Sequence, residues 1–200
     1  EMRISNRIVT WTDEGIRYEG DQRHVEIGLE EQGQKEGSRS VSTPGEKEKV
    51  TEEGERELNR EESKAYRGLV ARLNYLAQDR SDITYSVKEL SREMAKPTKA
   101  SWIKMKRIHR YLMGAPRFVL EYKYQSRQER IVTWTDSDFA GCIKSRKSTS
   151  GGVVMHGGHL IKSWSTNQTV IALSSGEAEY YSLVKGASMA LGIKSIYLDL

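Results

Sequence analysis

Four carboxylates in the second half of the chain stand where acids could do chemistry. Asp136 and Asp138 end the string "IVTWTDSD", and Glu177 and Glu179 open "GEAEYYSLVKGA". Acids at such short spacing can hold a hard cation or move a proton. "IVTWTDSD" alternates apolar and polar residues, so it reads as a strand that delivers its acids to the rim of a sheet. The same "DSD" also suits a turn or an Asx cap, and the string alone leaves both readings open. Ser174-x-x-Glu177 fits a capping box, which gives Glu177 a structural task. At 100° per residue, Glu179 falls on one stripe with Leu183, Gly186, Ala187 and Ala190, the stripe expected to face the sheet. A carboxylate there is costly unless it is paired, protonated or bound to a cation. No Cys or His lies beside these acids, so Asp136 and Glu179 together suit an oxygen-loving ion such as Mg²⁺.

The elements that must position these acids follow from the patterning. From about residue 117, "RFVLEYKY", "RIVTWTD", "SGGVVMHGG" and "HLIKSWS" read as strands, "TVIALSS" as a last short strand or an extended entry, and the run from Gly176 onward as a long helix. That order predicts an antiparallel sheet with a helix laid on it. Upstream, Tyr66, Leu69, Val70, Leu73 and Leu76 fall at helical spacing. So do Ile83, Val87, Leu90 and Met94 behind a Ser81-Asp82 cap, and Trp102, Met105, Ile108 and Leu112 ahead of a Gly-Ala-Pro stop. The amino-terminal "NRIVTWTDEGIRYEGD" predicts a hairpin turning at "TDEG". "DQRHVEIGLEEQG" predicts a short helix capped by Asp21 and closed by Gly33. The fold class expected is α+β. The string "RIVTWTD" occurs twice, at 7–13 and 130–136; the first copy leads into a second strand, so Asp13 reads as a turn residue.

Composition sharpens the picture. The 200 residues carry a formal charge of +4, unevenly spread. Ten Lys/Arg face two acids between Lys96 and Arg130, whereas eight Glu face four Lys/Arg between Glu46 and Glu62. The helix expected over Thr98–Gly114 presents Lys104, Lys106, Arg107 and Arg110. These cations form either a solvated face or a surface that tracks phosphates. Residues 34–62 hold Gly, Ser, Pro and Glu with few apolar side chains, and are expected to be a flexible acidic linker. A lone cysteine, Cys142, rules out an internal disulfide framework and fits a cytoplasmic or nuclear setting. No apolar run is long enough for a membrane span.

The motifs then resemble a known family. "WTDSDFAGC…RKSTSGGVVMHGGHLIKSWSTNQTVIALSSGEAEYYSLVKGA" resembles the ribonuclease H domain of copia-type retrotransposon polyproteins, with its strings in the family's order. "AYRGLVARLNYLAQDRSDITYSVKELSREMAKPTKASWIKMKRIHRYLMG" resembles the segment between polymerase and ribonuclease H, and "SVSTPG" the end of the reverse transcriptase palm and start of its thumb. The resemblance implies residues 1–33 as palm end and thumb start, 63–125 as a helical connection, and 126–200 as the amino-terminal part of a ribonuclease H-like mixed sheet. It implies Asp136 and Glu179 as catalytic, metal-holding acids of a two-Mg²⁺ site, with a weaker claim for Asp138. The activities implied are RNA-directed DNA synthesis and hydrolysis of RNA in RNA–DNA hybrids. The partners implied are that hybrid and the rest of the polyprotein: palm and fingers, integrase and protease. Two further acids are expected beyond residue 200, and no Asp-Asp pair of a polymerase site occurs. A non-catalytic nucleic-acid-binding relic of a decayed element is the alternative.

Overall fold

A computed structural model describes residues 1–31, 39–46, 53–143 and 145–199. The chain divides into two compact units, residues 1–11 with 17–120 and residues 12–16 with 121–200.

The first unit opens with strands β1 (Met2–Ile4), β2 (Arg7–Thr12) and β3 (Gly15–Glu19), followed by helix α1 (Arg23–Glu31). The β2–β3 hairpin is where the alternation placed it. β1 escaped the sequence reading. It pairs antiparallel with β2, Met2 opposite Val9, around Ser5 and Asn6 at φ 50° and 66°. Asn tolerates this left-handed backbone, so "SN" was the available signal. Asp21 accepts from the Arg23 amide at 3.1 Å, as expected of a residue at the head of α1. Gly33, the expected end of α1, lies outside the described residues.

Helices α2 (Arg60–Leu76), α3 (Thr84–Arg92) and α4 (Lys99–Gly114) follow, then strand β4 (Val119–Lys123). Their buried positions are the predicted apolar stripes. Tyr66, Val70, Ile83, Met105 and Leu112 are all inaccessible to solvent. Met94 and Trp102 only pack against the edge of this core. The expected acidic linker ends earlier than its composition suggested. Leu58 is in the core, Glu57 bridges Thr98, and Asn59 with Glu62 forms a reciprocal capping box on α2. Residues 34–38 and 47–52 of that segment lie outside the described residues. A polar sequence context hid Leu58, a single apolar anchor among glutamates.

Asp82 also departs from expectation. α3 starts at Thr84 with no side-chain cap, and Asp82 instead takes two bonds from Arg80, at 3.0 and 2.8 Å, and one from Tyr111 at 2.8 Å. Burial pushes its carboxyl up, but the Arg80 and Tyr111 hydrogen bonds outweigh that and hold it below the usual carboxylate range.

A second buried polar cluster joins β2, β3 and the end of α2. Arg7 donates to both Asp79 oxygens, at 3.0 and 2.9 Å, and Tyr18 donates to Oδ1 at 2.6 Å. Burial first, and the bond to Asp79 second, push the Tyr18 hydroxyl up to about 12. A raised value means that the folded state favours the neutral phenol. The contribution of Tyr18 is therefore complete below the ordinary tyrosine range near 10 and lost as pH rises through about 12. The stability gap between wild type and Tyr18→Phe should shrink between pH 9 and 12 in urea titrations, a range over which lysine titration cancels between the two proteins. A constant gap would refute this reading.

The second unit holds β5 (Ile131–Asp138), β6 (Thr149–His156), β7 (His159–Asn167) and α5 (Ser175–Leu198). The three strands form an antiparallel sheet in the order β5-β6-β7, with α5 packed against it. The α+β class stands. One predicted strand is placed differently. β4 joins the sheet of β1, β2 and β3. Gly15 permits this: a Cβ there would stand 2.2 Å from the Tyr122 carbonyl oxygen. "TVIALSS" takes the second of its two expected forms, an irregular entry to α5 with Ala172 buried.

Candidate functional site

β5 and α5 are held together by small residues. Ala178, Ser182 and Gly186, four residues apart, are the buried positions of α5. A Cβ on Gly186 would stand 2.3 Å from Thr135 Cγ2 and 3.2 Å from Thr133 Cγ2. Ser182 Oγ donates to the Asp136 carbonyl at 2.7 Å. Gln168, buried, donates to Ser150 Oγ at 3.0 Å and to the Ala178 carbonyl at 2.8 Å, which ties the start of α5 to β6. Ser182 carries no signal of its own in the sequence, and Gln168 stands there only as the last residue of the family-like string "SWSTNQ". Each is an ordinary polar residue there, and only the packing gives it a task.

Of the stripe expected to face the sheet, Gly186 does so, but Glu179, Leu183 and Ala187 do not. Glu179 and Leu183 are exposed, and Leu183 keeps 58% of its surface. Closest approach favours the smallest side chains, so the helix turned onto Ala178, Ser182 and Gly186. Glu179 is thus no buried charge. Its Oε1 accepts from the Ser137 amide at 3.3 Å, which brings it to the acidic end of β5.

Asp136 and Asp138 occupy that end, both exposed. Along β5 the half-buried positions are Ile131, Thr133, Thr135 and Ser137, and Thr133 and Thr135 touch α5. Alternation therefore turns Asp136 and Asp138 to the opposite sheet face. Glu179 consequently meets the β5 backbone between the two aspartates. Asp138 packs closely on Gly141, where a Cβ would collide with its carboxylate, and Ala140 takes φ 52° in the same turn. Glu177 caps α5 as expected in part: Ser174 Oγ accepts from the Glu177 amide at 3.1 Å, but the Glu177 carboxylate reaches back to the Leu173 amide at 2.7 Å.

Asp136, Asp138 and Glu179 make no ion pair among the described residues. Among the described residues, no three His, Cys, Asp or Glu side chains are gathered closely enough to hold a metal ion.

The cations of α4, in the first unit, are mostly engaged. Lys104 pairs with Glu93 at 3.1 Å. Arg107 gives Nη1 to Glu46 at 2.6 Å and Nη2 to Thr43 Oγ1 at 3.0 Å. Arg110 Nε donates to the Arg39 carbonyl at 2.8 Å. Lys106 is exposed. No helix among the described residues is long and apolar enough to cross a membrane.

Curated relatives exist for most of the chain. The retrovirus-related Pol polyprotein from transposon RE2 of Arabidopsis thaliana is 37% identical over 135 residues, 68% of this chain and 9% of that protein. The corresponding polyprotein from transposon RE1 of the same plant is 38% identical over 135 residues, with the same coverage. A secreted RxLR effector protein 161 of Plasmopara viticola is 32% identical over 127 residues, 63% of this chain and 89% of that protein. The chain thus spans about a tenth of the length of the polyproteins it matches. No protein-family model matches it, and no solved structure does.

Proposed function

Since this chain belongs to the family of retrovirus-related Pol polyproteins of copia-type transposons, we propose that it supplies the connection and the start of the ribonuclease H domain of a reverse transcriptase. The intact polyprotein would copy RNA into DNA and hydrolyse the RNA strand of the resulting hybrid. The observation that carries the nuclease assignment is the Glu179–Ser137 contact, which sets a helix carboxylate at the end of β5 that bears Asp136 and Asp138.

The donor chemistry suits Mg²⁺, because every candidate ligand is a hard carboxylate oxygen. The geometry does not complete a two-metal centre. Asp136 and Glu179 leave β5 and α5 in different directions, and no third acid joins them among the described residues. In this reading Asp136 and Glu179 are two ligands of a set completed elsewhere in the polyprotein. The α4 helix contributes phosphate contacts through Lys106 and Arg110, with Lys104 and Arg107 beside them. Such contacts bind a hybrid without reading its sequence, since they touch only the backbone.

The test is a single assay of the 200-residue chain with a labelled RNA–DNA hybrid in Mg²⁺. Binding is expected to weaken steeply with salt, and Lys106→Glu with Arg110→Glu should flatten the slope by about two phosphate contacts. No cleavage is expected. A salt-independent or absent interaction would overturn the binding role. Mg²⁺-dependent cleavage that Glu179→Gln abolishes would overturn the incomplete-centre reading.

A further inference from the structure

Resting on the binding role just proposed for α4, we infer that residues 39–46 are a strap that occupies the cationic face of α4 in cis and competes with the phosphodiester backbone for Arg107. Both terminal nitrogens of the Arg107 guanidinium donate to the strap, Nη1 to the Glu46 carboxylate and Nη2 to the Thr43 hydroxyl. Arg110 is held by the Arg39 carbonyl, and the Val41 amide reaches the Arg110 carbonyl at 3.4 Å. Close approach at two glycines seats the strap. A Cβ on Gly114 would stand 2.8 Å from Ser40 Cβ, and one on Gly45 would stand 3.0 Å from Ser86 Oγ.

The strap is built to be released. It has no helix or strand of its own, and none of its residues is fully buried. Its charged contact is solvent-accessible: the Glu46 side chain keeps 63% of its surface and Arg107 keeps 26%. An exposed carboxylate–guanidinium pair of this kind is worth little and is weakened by salt. A nucleic-acid backbone presents many such oxygens at once, so it can displace one carboxylate by mass action and counterion release. Glu46 also begins the glutamate-rich stretch, where eight Glu fall between residues 46 and 62. Through Glu46 the strap therefore acts as an internal anion that raises the threshold for binding weak or short phosphate chains.

The experiment compares the full 200-residue chain with its Glu46→Gln variant, using a 20-base-pair RNA–DNA hybrid and fluorescence anisotropy over a range of salt. Glu26→Gln serves as a charge-matched control on α1. Glu46→Gln should tighten binding about two- to five-fold, the range an exposed pair can exert, and Glu26→Gln should leave it nearly unchanged. In the wild-type chain, saturating hybrid should also raise hydrogen exchange across residues 39–46. Equal tightening by both variants, or a strap whose exchange does not change while the hybrid binds, would overturn the inference and leave the binding role intact. Failure of wild type and Glu46→Gln alike to bind the hybrid would overturn both. A variant that has lost its fold would show as raised exchange in α2, so misfolding is separable from strap release.

Discussion

Asp79→Ala should lower the stability of the helical unit by about 3 kcal/mol, the lower end of what breaking a buried ion pair costs. The Asp79 side chain is 7% exposed and Arg7 is 20% exposed, so water compensates the guanidinium only in part once its partner is gone. Two donors converge on this carboxylate, the Arg7 Nε–H, shared between its two oxygens, and the Tyr18 hydroxyl. Gly20 packs on Asp79 as well, so alanine also leaves a small gap. The Arg7 guanidinium is held above its ordinary value chiefly by the hydrogen bond to Asp79, as expected of a pair that acts together. Asp79→Asn keeps an acceptor for one donor and should lose about half as much. Urea denaturation followed by circular dichroism measures both. A loss below about 0.5 kcal/mol for Asp79→Ala, the level of an ordinary surface change, would show that the cluster does not hold the sheet to the helices.

Gly186→Ala should destabilise the seating of α5 by about 1–3 kcal/mol, although alanine is the better helix former. The added methyl would stand 2.3 Å from Thr135 Cγ2, so the helix must lift or the threonine must leave its rotamer. Gly192 in the same helix is the internal control. A Cβ there meets nothing within 4 Å, so Gly192→Ala should stabilise α5 by up to about 1 kcal/mol. Hydrogen exchange of α5 peptides reads both directly and is independent of the first unit. Lifting the helix would also withdraw Glu179 from the Ser137 amide, so Ser137 exchange should rise in Gly186→Ala alone. The same sign of effect at both glycines would refute the account of the interface.

Much of this was legible in the order of residues. The three helices of the first unit were visible because their apolar residues recur at helical spacing over long runs, a signal that few other arrangements produce. The α5 capping Ser174 was visible because it precedes Glu177 by three. β1 was missed because three residues carry too little alternation to notice. The acidic segment was misjudged because one leucine decides whether such a stretch docks.

The repeated "RIVTWTD" separates what sequence determines from what tertiary structure decides. Both copies contain a strand with its tryptophan turned outward, Trp11 at 51% and Trp134 at 67% exposed, because alternation is a local property of the backbone. The arginines then part company: Arg7 finds the buried Asp79, while Arg130 is exposed. Asp13 ends in a two-residue turn, whereas the strand end that bears Asp136 meets Glu179, 43 residues later, at the Ser137 amide. Likewise the four α4 cations were evident as charges, yet which of them are already engaged depended on Glu93, Glu46 and the Arg39 carbonyl coming within reach. Periodicity reports which face of an element is apolar. It carries no record of the partner that meets that face, because a contact between distant residues is set by how whole elements pack.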